Sequence, residues 1–111
     1  MDCLFCKIAA GEIPAKKLYE DDRVVAFHDL NPQAPVHLLV IPKEHIESTA
    51  AIDDSHAALL GHLWTKIPVI ARALGASEFR VVVNSGASAG QSVFHLHFHL
   101  LGGRAMGWPP G

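Results

Sequence analysis

His95-Leu96-His97-Phe98-His99-Leu100-Leu101 alternates imidazoles with apolar side chains without a break. In an extended chain, alternate side chains share a face. The run therefore predicts a strand, spanning 93–101, with Leu96, Phe98 and Leu100 packed on a core. Its other face presents three imidazoles in a row. Each imidazole carries two nitrogens that need partners, so three together point to a site rather than to packing.

Working outward, the small-residue stretch Ser85-Gly86-Ala87-Ser88-Ala89-Gly90-Gln91-Ser92 reads as a loop, and 79–84 (FRVVVN) as the strand before it. Further upstream, Ile52, Leu59, Leu60, Leu63, Trp64, Ile67, Ile70 and Leu74 fall at spacings of three and four. They predict the apolar stripe of a helix from Asp53 or Asp54 to Leu74, capped by the aspartates, ended by Gly75 and carrying Pro68 inside. Val36-His37-Leu38-Leu39-Val40-Ile41-Pro42 reads as the central strand, stopped by its proline. Strands at 17–20 and 23–28 join through Asp21-Asp22, and 3–10 (CLFCKIAA) forms a short helix ended by Gly11. The order predicts an α+β fold: a five-stranded antiparallel meander with one main helix and a short N-terminal helix.

The chain has 111 residues, which suits one domain over 1–111 with a Gly/Pro-rich tail from about 102 to 111. Half of its residues are hydrophobic, which excludes disorder as the main state. A formal net charge of -2 argues against a nucleic-acid platform or a cationic membrane helix. The apolar runs are too short to span a bilayer, and the start lacks the order of a secretion signal. A cytoplasmic protein is the expectation.

Geometry argues against a single metal ion held by all three histidines. Same-face residues lie about 6.7 Å apart along a strand, so the outer pair would be about 13 Å apart. Zinc–nitrogen bonds measure only about 2.0–2.1 Å. The row suits an elongated substrate better. The preceding small-residue loop can bring backbone N–H groups close to an oxyanion, and Ser92 adds a hydroxyl. Neutral imidazole is a good nucleophile toward phosphorus and is plentiful at pH 7. Together these features suggest covalent nucleotidyl or phosphoryl transfer.

Residues 95–101 match the His-φ-His-φ-His-φ-φ signature of the histidine triad (HIT) family at every position. Ile13-Pro14-Ala15-Lys16, Ala26-Phe27-His28-Asp29, Pro32-Gln33-Ala34-Pro35, Val40-Ile41-Pro42-Lys43, Gly90-Gln91-Ser92-Val93, Leu101-Gly102-Gly103-Arg104 and Trp108-Pro109-Pro110-Gly111 extend the resemblance, in the form of its Hint branch, over nearly the whole chain. The resemblance implies a purine nucleoside phosphoramidase acting on AMP-lysine or adenosine phosphoramidate, with AMP or GMP as bound nucleotide. It makes His97 the nucleophile, with its second nitrogen held by the His95 carbonyl. His37 tunes the relay from behind. His99 and Ser92 meet the phosphate or the leaving group, and backbone groups of Gly90, Gln91 and Ser92 complete the cradle. Asn84 and Asp29 serve the phosphate side and the ribose, while Phe5, Ile8, Phe27, His28 and Leu30 wall the purine. A dinucleoside polyphosphate hydrolase, or a nucleotide-binding scaffold with incidental hydrolysis, are the alternative activities.

The resemblance also implies a homodimer, built on the helix and a strand and consistent with the apolar Val81-Val82-Val83 run. Some bacterial-type relatives hold a structural zinc, and the matching positions here are Cys3, Cys6, His45 and His95. No cofactor is expected to be required for catalysis, and no nucleic acid or membrane partner is expected.

Overall fold

The computed structural model describes residues 2–111. The elements in chain order are α1 (Leu4–Ala9), β1 (Lys17–Glu20), β2 (Val24–His28), β3 (Val36–Pro42), α2 (Ala57–Ala73), β4 (Phe79–Val82) and β5 (Phe98–Gly102). The strands form one antiparallel sheet in the order β1-β2-β3-β5-β4. Only the first three strands are a meander. β5 inserts between β3 and β4, a departure from the simple meander that the sequence predicts.

The alternation along β2 and β3 sorts the core into two layers. Val24, Ala26, Leu38 and Val40 join Leu96, Phe98 and Leu100 against Leu59, Leu63, Ile67 and Ile70 of α2. Val25, Phe27, Leu39 and Ile41 face the other way and meet Cys3, Phe5 and Ile8 of the N-terminal segment. Covering both faces explains why these strands read as unbroken apolar runs. α1 is short, so packing rather than propensity holds it. Burial of Phe5 and Ile8 supplies about 1.5–3 kcal/mol each.

β5 is shorter than the 93–101 strand predicted from the histidine run, and β4 stops at Val82 rather than residue 84. The β3–β5 ladder runs from Val36↔Gly102 to Val40↔Phe98. The next same-face position on β3 is Pro42, which has no N–H to donate. Its carbonyl accepts instead from the His95 ring Nε2 (2.8 Å), and the Leu96 N–H turns to the Ile46 carbonyl (2.6 Å). The alternation of side chains survives this break: Leu96 stays in the α2 layer, and His95 lies beside Phe5 on the other. Trp64, assigned to the buried stripe of α2, is 48% exposed, although its ring edge meets Phe98.

Asp21 fastens the β1–β2 hairpin to α2. Its carboxylate accepts from the backbone N–H groups of Arg23 and Val24 (both 2.8 Å), from the Tyr19 hydroxyl (2.7 Å) and from His62 Nε2 on α2 (2.7 Å). Burial pushes this carboxyl up, but the hydrogen bonds outweigh it and hold it well below the usual carboxylate range. The same Tyr19–Asp21 bond is the main reason that the phenol is pushed up to about 12. Asp21→Ala is expected to cost about 1–3 kcal/mol, read from the denaturant midpoint. A lowered folded pKa stabilises above the unfolded value and is lost as pH falls through the folded one. The difference between the two proteins should therefore persist at neutral pH and shrink below about pH 4.

Candidate active site

A cavity of about 370 Å³ opens on the α1 side of the sheet. α1 contributes Leu4, Phe5 and Ile8, β2 and the residues after it contribute Phe27, His28, Asp29 and Leu30, and the loop before β1 contributes Lys16. The phosphate-cradle candidates Asn84, Gly90 and Ser92 line it beside His97 and His99. Twelve of the sequence-assigned residues thus meet at one cleft, if His37 is counted behind His99. Gln91 does not line it. Its side chain turns inward, donating from Nε2 to the Glu47 and Val93 carbonyls (2.8 and 3.1 Å) and accepting the Gly86 N–H (2.9 Å), so it braces the loop. Gly90 sits at φ +102°, a left-handed conformation that favours glycine, and a Cβ there would lie 3.5 Å from the Asn84 amide nitrogen. Lys16 and Leu4 also line the cleft and received no role from the sequence, since an exposed lysine before a strand looks like any solvated side chain.

The imidazole partners fix which nitrogen carries each proton. A carbonyl only accepts, so His97 Nδ1 donates to the His95 carbonyl (2.7 Å). The lone pair of His97 is therefore on Nε2. His37 Nδ1 accepts the Gln33 N–H (3.0 Å), so its proton lies on Nε2 and is donated to His99 Nδ1 (2.9 Å). His99 is then left with an N–H at Nε2. Asp29 stands behind this pair, 3.4 Å from His37 Nε2, with its other oxygen accepting the Asn31 N–H (2.8 Å). Phe5 sets its ring edge-to-face against His97, with centroids 5.1 Å apart. Burial pushes His99 down to about 4, helped by the neighbouring His97 and His37. Burial also lowers His37, with Asp29 partly opposing it. Both rings are neutral at pH 7. Asp29, His37 and His99 lie close enough to suggest a second metal site. The Gln33 N–H argues against it, because the nitrogen that His37 would offer already carries the proton.

The first histidine of the row faces elsewhere. His95 is fully buried, and with its proton on Nε2 it turns a bare Nδ1 toward Cys3 Sγ (3.4 Å), Cys6 Sγ (3.5 Å) and His45 Nδ1 (3.2 Å). Cys6 Sγ lies 3.3 Å from His45 Nδ1. A tetrahedral zinc ion with bonds of about 2.0 Å to nitrogen and 2.3 Å to sulfur needs edges of about 3.3 Å between nitrogens and about 3.5 Å from nitrogen to sulfur. The four distances above, 3.2–3.5 Å, lie close to these edges, and all four ligand atoms lie within 4.8 Å of one another. Burial and the adjacent Cys3 push the Cys6 thiol up, and a bound cation would draw off its proton.

A profile of the HIT domain matches residues 10–106. This chain belongs to the HIT family. A HIT-like protein of Synechocystis sp. is 53% identical over 111 residues, covering 99% of this chain and 97% of its own. A HIT family hydrolase from Legionella pneumophila Philadelphia 1 is 50% identical and superposes with a TM-score of 0.96, covering 99% of this chain and all of that one. A zinc-bound histidine triad family protein from Mycobacterium smegmatis is 34% identical, with a TM-score of 0.79 over 94% of this chain and 76% of that one. Among the described residues, no helix of this HIT protein is long and apolar enough to cross a membrane.

A histidine with a lowered folded pKa stabilises above the unfolded value, near 6.5, and loses that contribution as pH falls toward the folded value, here about 4. The HIT protein should therefore lose stability between pH 6.5 and 4. His99→Gln should flatten that slope in a series of thermal melts against pH.

Proposed function

We propose that the chain hydrolyses the P–N bond of purine nucleoside phosphoramidates through a nucleotide carried covalently on His97. The observation that carries this reading is the His97 Nδ1–H donated to the His95 carbonyl, which leaves the Nε2 lone pair at a cleft of nucleotide size. Phe5, Ile8, Phe27, His28 and Leu30 offer an apolar wall for the purine, and Asp29 retains acceptor capacity for ribose hydroxyls. Asn84, Ser92, the Gly90 backbone and the His99 Nε2–H surround the place for the α-phosphate. His97 Nε2 attacks phosphorus as the P–N bond breaks, and the departing nitrogen takes up a proton and leaves as the amine. Water then displaces Nε2, gives up a proton to solution and releases AMP.

His97→Ala should reduce turnover of AMP-lysine at least about 10³-fold while leaving AMP binding within a few-fold. Enzyme quenched during turnover should gain one nucleotidyl mass that is stable to base and lost in acid. Near-normal turnover by the variant would sink the assignment. Faster cleavage of diadenosine triphosphate than of AMP-lysine would move the substrate class to dinucleoside polyphosphates.

The same reading gives Cys3, Cys6, His45 and His95 a structural zinc. The tetrahedral spacing supports it, as does the zinc-bound mycobacterial relative. A closed set of four protein ligands supplies folding energy and leaves no position for substrate. Chelation should lower the melting temperature by at least about 5 °C, restored by zinc and not by magnesium. A second copy of the chain is the proposed partner. β4 is an edge strand with Phe79 exposed, and Trp64 and Val69 on α2 are also exposed.

A further inference from the structure

We infer that Gly103 and Arg104, which follow β5 outside the cleft, position the catalytic histidines by clamping the backbone of Gln33. The inference rests on the reading that His99 Nε2–H faces the transferred phosphate. Gln33 lies in the exposed turn between β2 and β3, flanked by Pro32 and Pro35. Its N–H is the group that keeps the His37 proton off Nδ1 (3.0 Å). Arg104 Nε donates to the Gln33 carbonyl (3.1 Å), while its Nη1 donates to the Ala105 carbonyl (3.0 Å). One guanidinium thus ties the turn to the segment leaving the sheet. Gly103 brings that segment flush against the turn. At φ +87°, a Cβ there would lie 2.9 Å from Pro35 Cβ, closer than side chains pack.

That backbone N–H sets the polarity of the relay, and the Asp29 carboxylate, 3.4 Å from His37 Nε2, favours the same proton position. If the N–H withdraws, His37 is free to carry its proton on Nδ1, and its Nε2 becomes an acceptor. His99 must then place its own proton on Nδ1 to satisfy the 2.9 Å contact. Its Nε2 would turn a lone pair, not a donor, toward an anionic phosphate. Nothing in the cleft need move for this to happen, because two ring protons simply change nitrogens. Arg104 and Gly103 are therefore positioning residues, acting through Gln33 and His37. Neither lines the cavity.

The test compares wild type with Arg104→Ala, Arg104→Lys and Gln33→Ala, using ring-nitrogen NMR of the histidines at about pH 7.5, above the imidazole range. Steady-state kinetics with AMP-lysine accompany it. Wild type should show single tautomers, His37 and His99 both protonated at Nε2. Losing one preorganised donor outright costs about 10²–10³-fold in kcat. Loosening its support by Arg104→Ala should mix the tautomers and cost about 5–20-fold in kcat, with KM changed less than about twofold. Arg104→Lys should recover most of both, since lysine can still donate to the Gln33 carbonyl. Gln33→Ala keeps the backbone N–H and carbonyl and loses only the side-chain bond from Nε2 to the Asn31 carbonyl (3.0 Å), so it should leave the tautomers of His37 and His99 single. Unmixed tautomers in Arg104→Ala, whether or not activity falls, would overturn the inference. Correct wild-type tautomers that mix in Arg104→Ala, in a protein that cleaves no phosphoramidate, would uphold the clamp and defeat the proposed chemistry.

Discussion

His95 holds the molecule together at the point where its sheet stops. Its ring N–H takes the carbonyl that Pro42 leaves at the end of the β3–β5 ladder. Its own carbonyl takes the His97 proton. Its remaining ring nitrogen faces two thiols and a third imidazole. Each contact constrains the next. With Nε2 protonated, Nδ1 must be bare, and the chain turn that buries the ring also aims the carbonyl. A residue that looks like one of three equivalent imidazoles in sequence is therefore the frame for the other two.

Much of this was legible from residue types and their spacing. The strict alternation in 95–101 assigned the side chains to the correct layers, although only the second half of the run is paired as a strand. Alternation reports which way side chains point, and an extended chain keeps that order without ladder hydrogen bonds. The place where pairing ends depends on Pro42, 53 residues away from His95, and no local pattern around 93–97 could reveal it. The insertion of β5 between β3 and β4 escaped for a related reason, since strand order is a matter of long-range pairing. Gln91 reads in sequence as a backbone member of the cradle with no work for its side chain, yet that side chain braces the loop. Nothing about a glutamine beside glycines and serines reveals that its amide turns inward to the Glu47 carbonyl, and only its burial shows it.

The electrostatics of the cleft follow from its packing. Burial keeps His37 and His99 neutral, so hydrogen bonds rather than charges decide what they present to a ligand. Neutral imidazole is both donor and acceptor, and it needs an outside reference to choose. For His97 and His37 that reference is main chain: the His95 carbonyl and the Gln33 N–H. Backbone groups cannot ionise in this range, so the pattern they set does not shift with pH as a carboxylate's would.

The sheet divides its labour by parity. Even-numbered positions of β3 and β5 serve the α2 layer, while the odd-numbered Leu39 and His99 line the cleft and Ile41 packs beneath α1. Neighbouring codons therefore answer to different selective demands. Drift in the apolar ballast beneath α2 can proceed while the working surface is held fixed, and the pocket wall can be retuned for new ligands without renegotiating the bulk of the core.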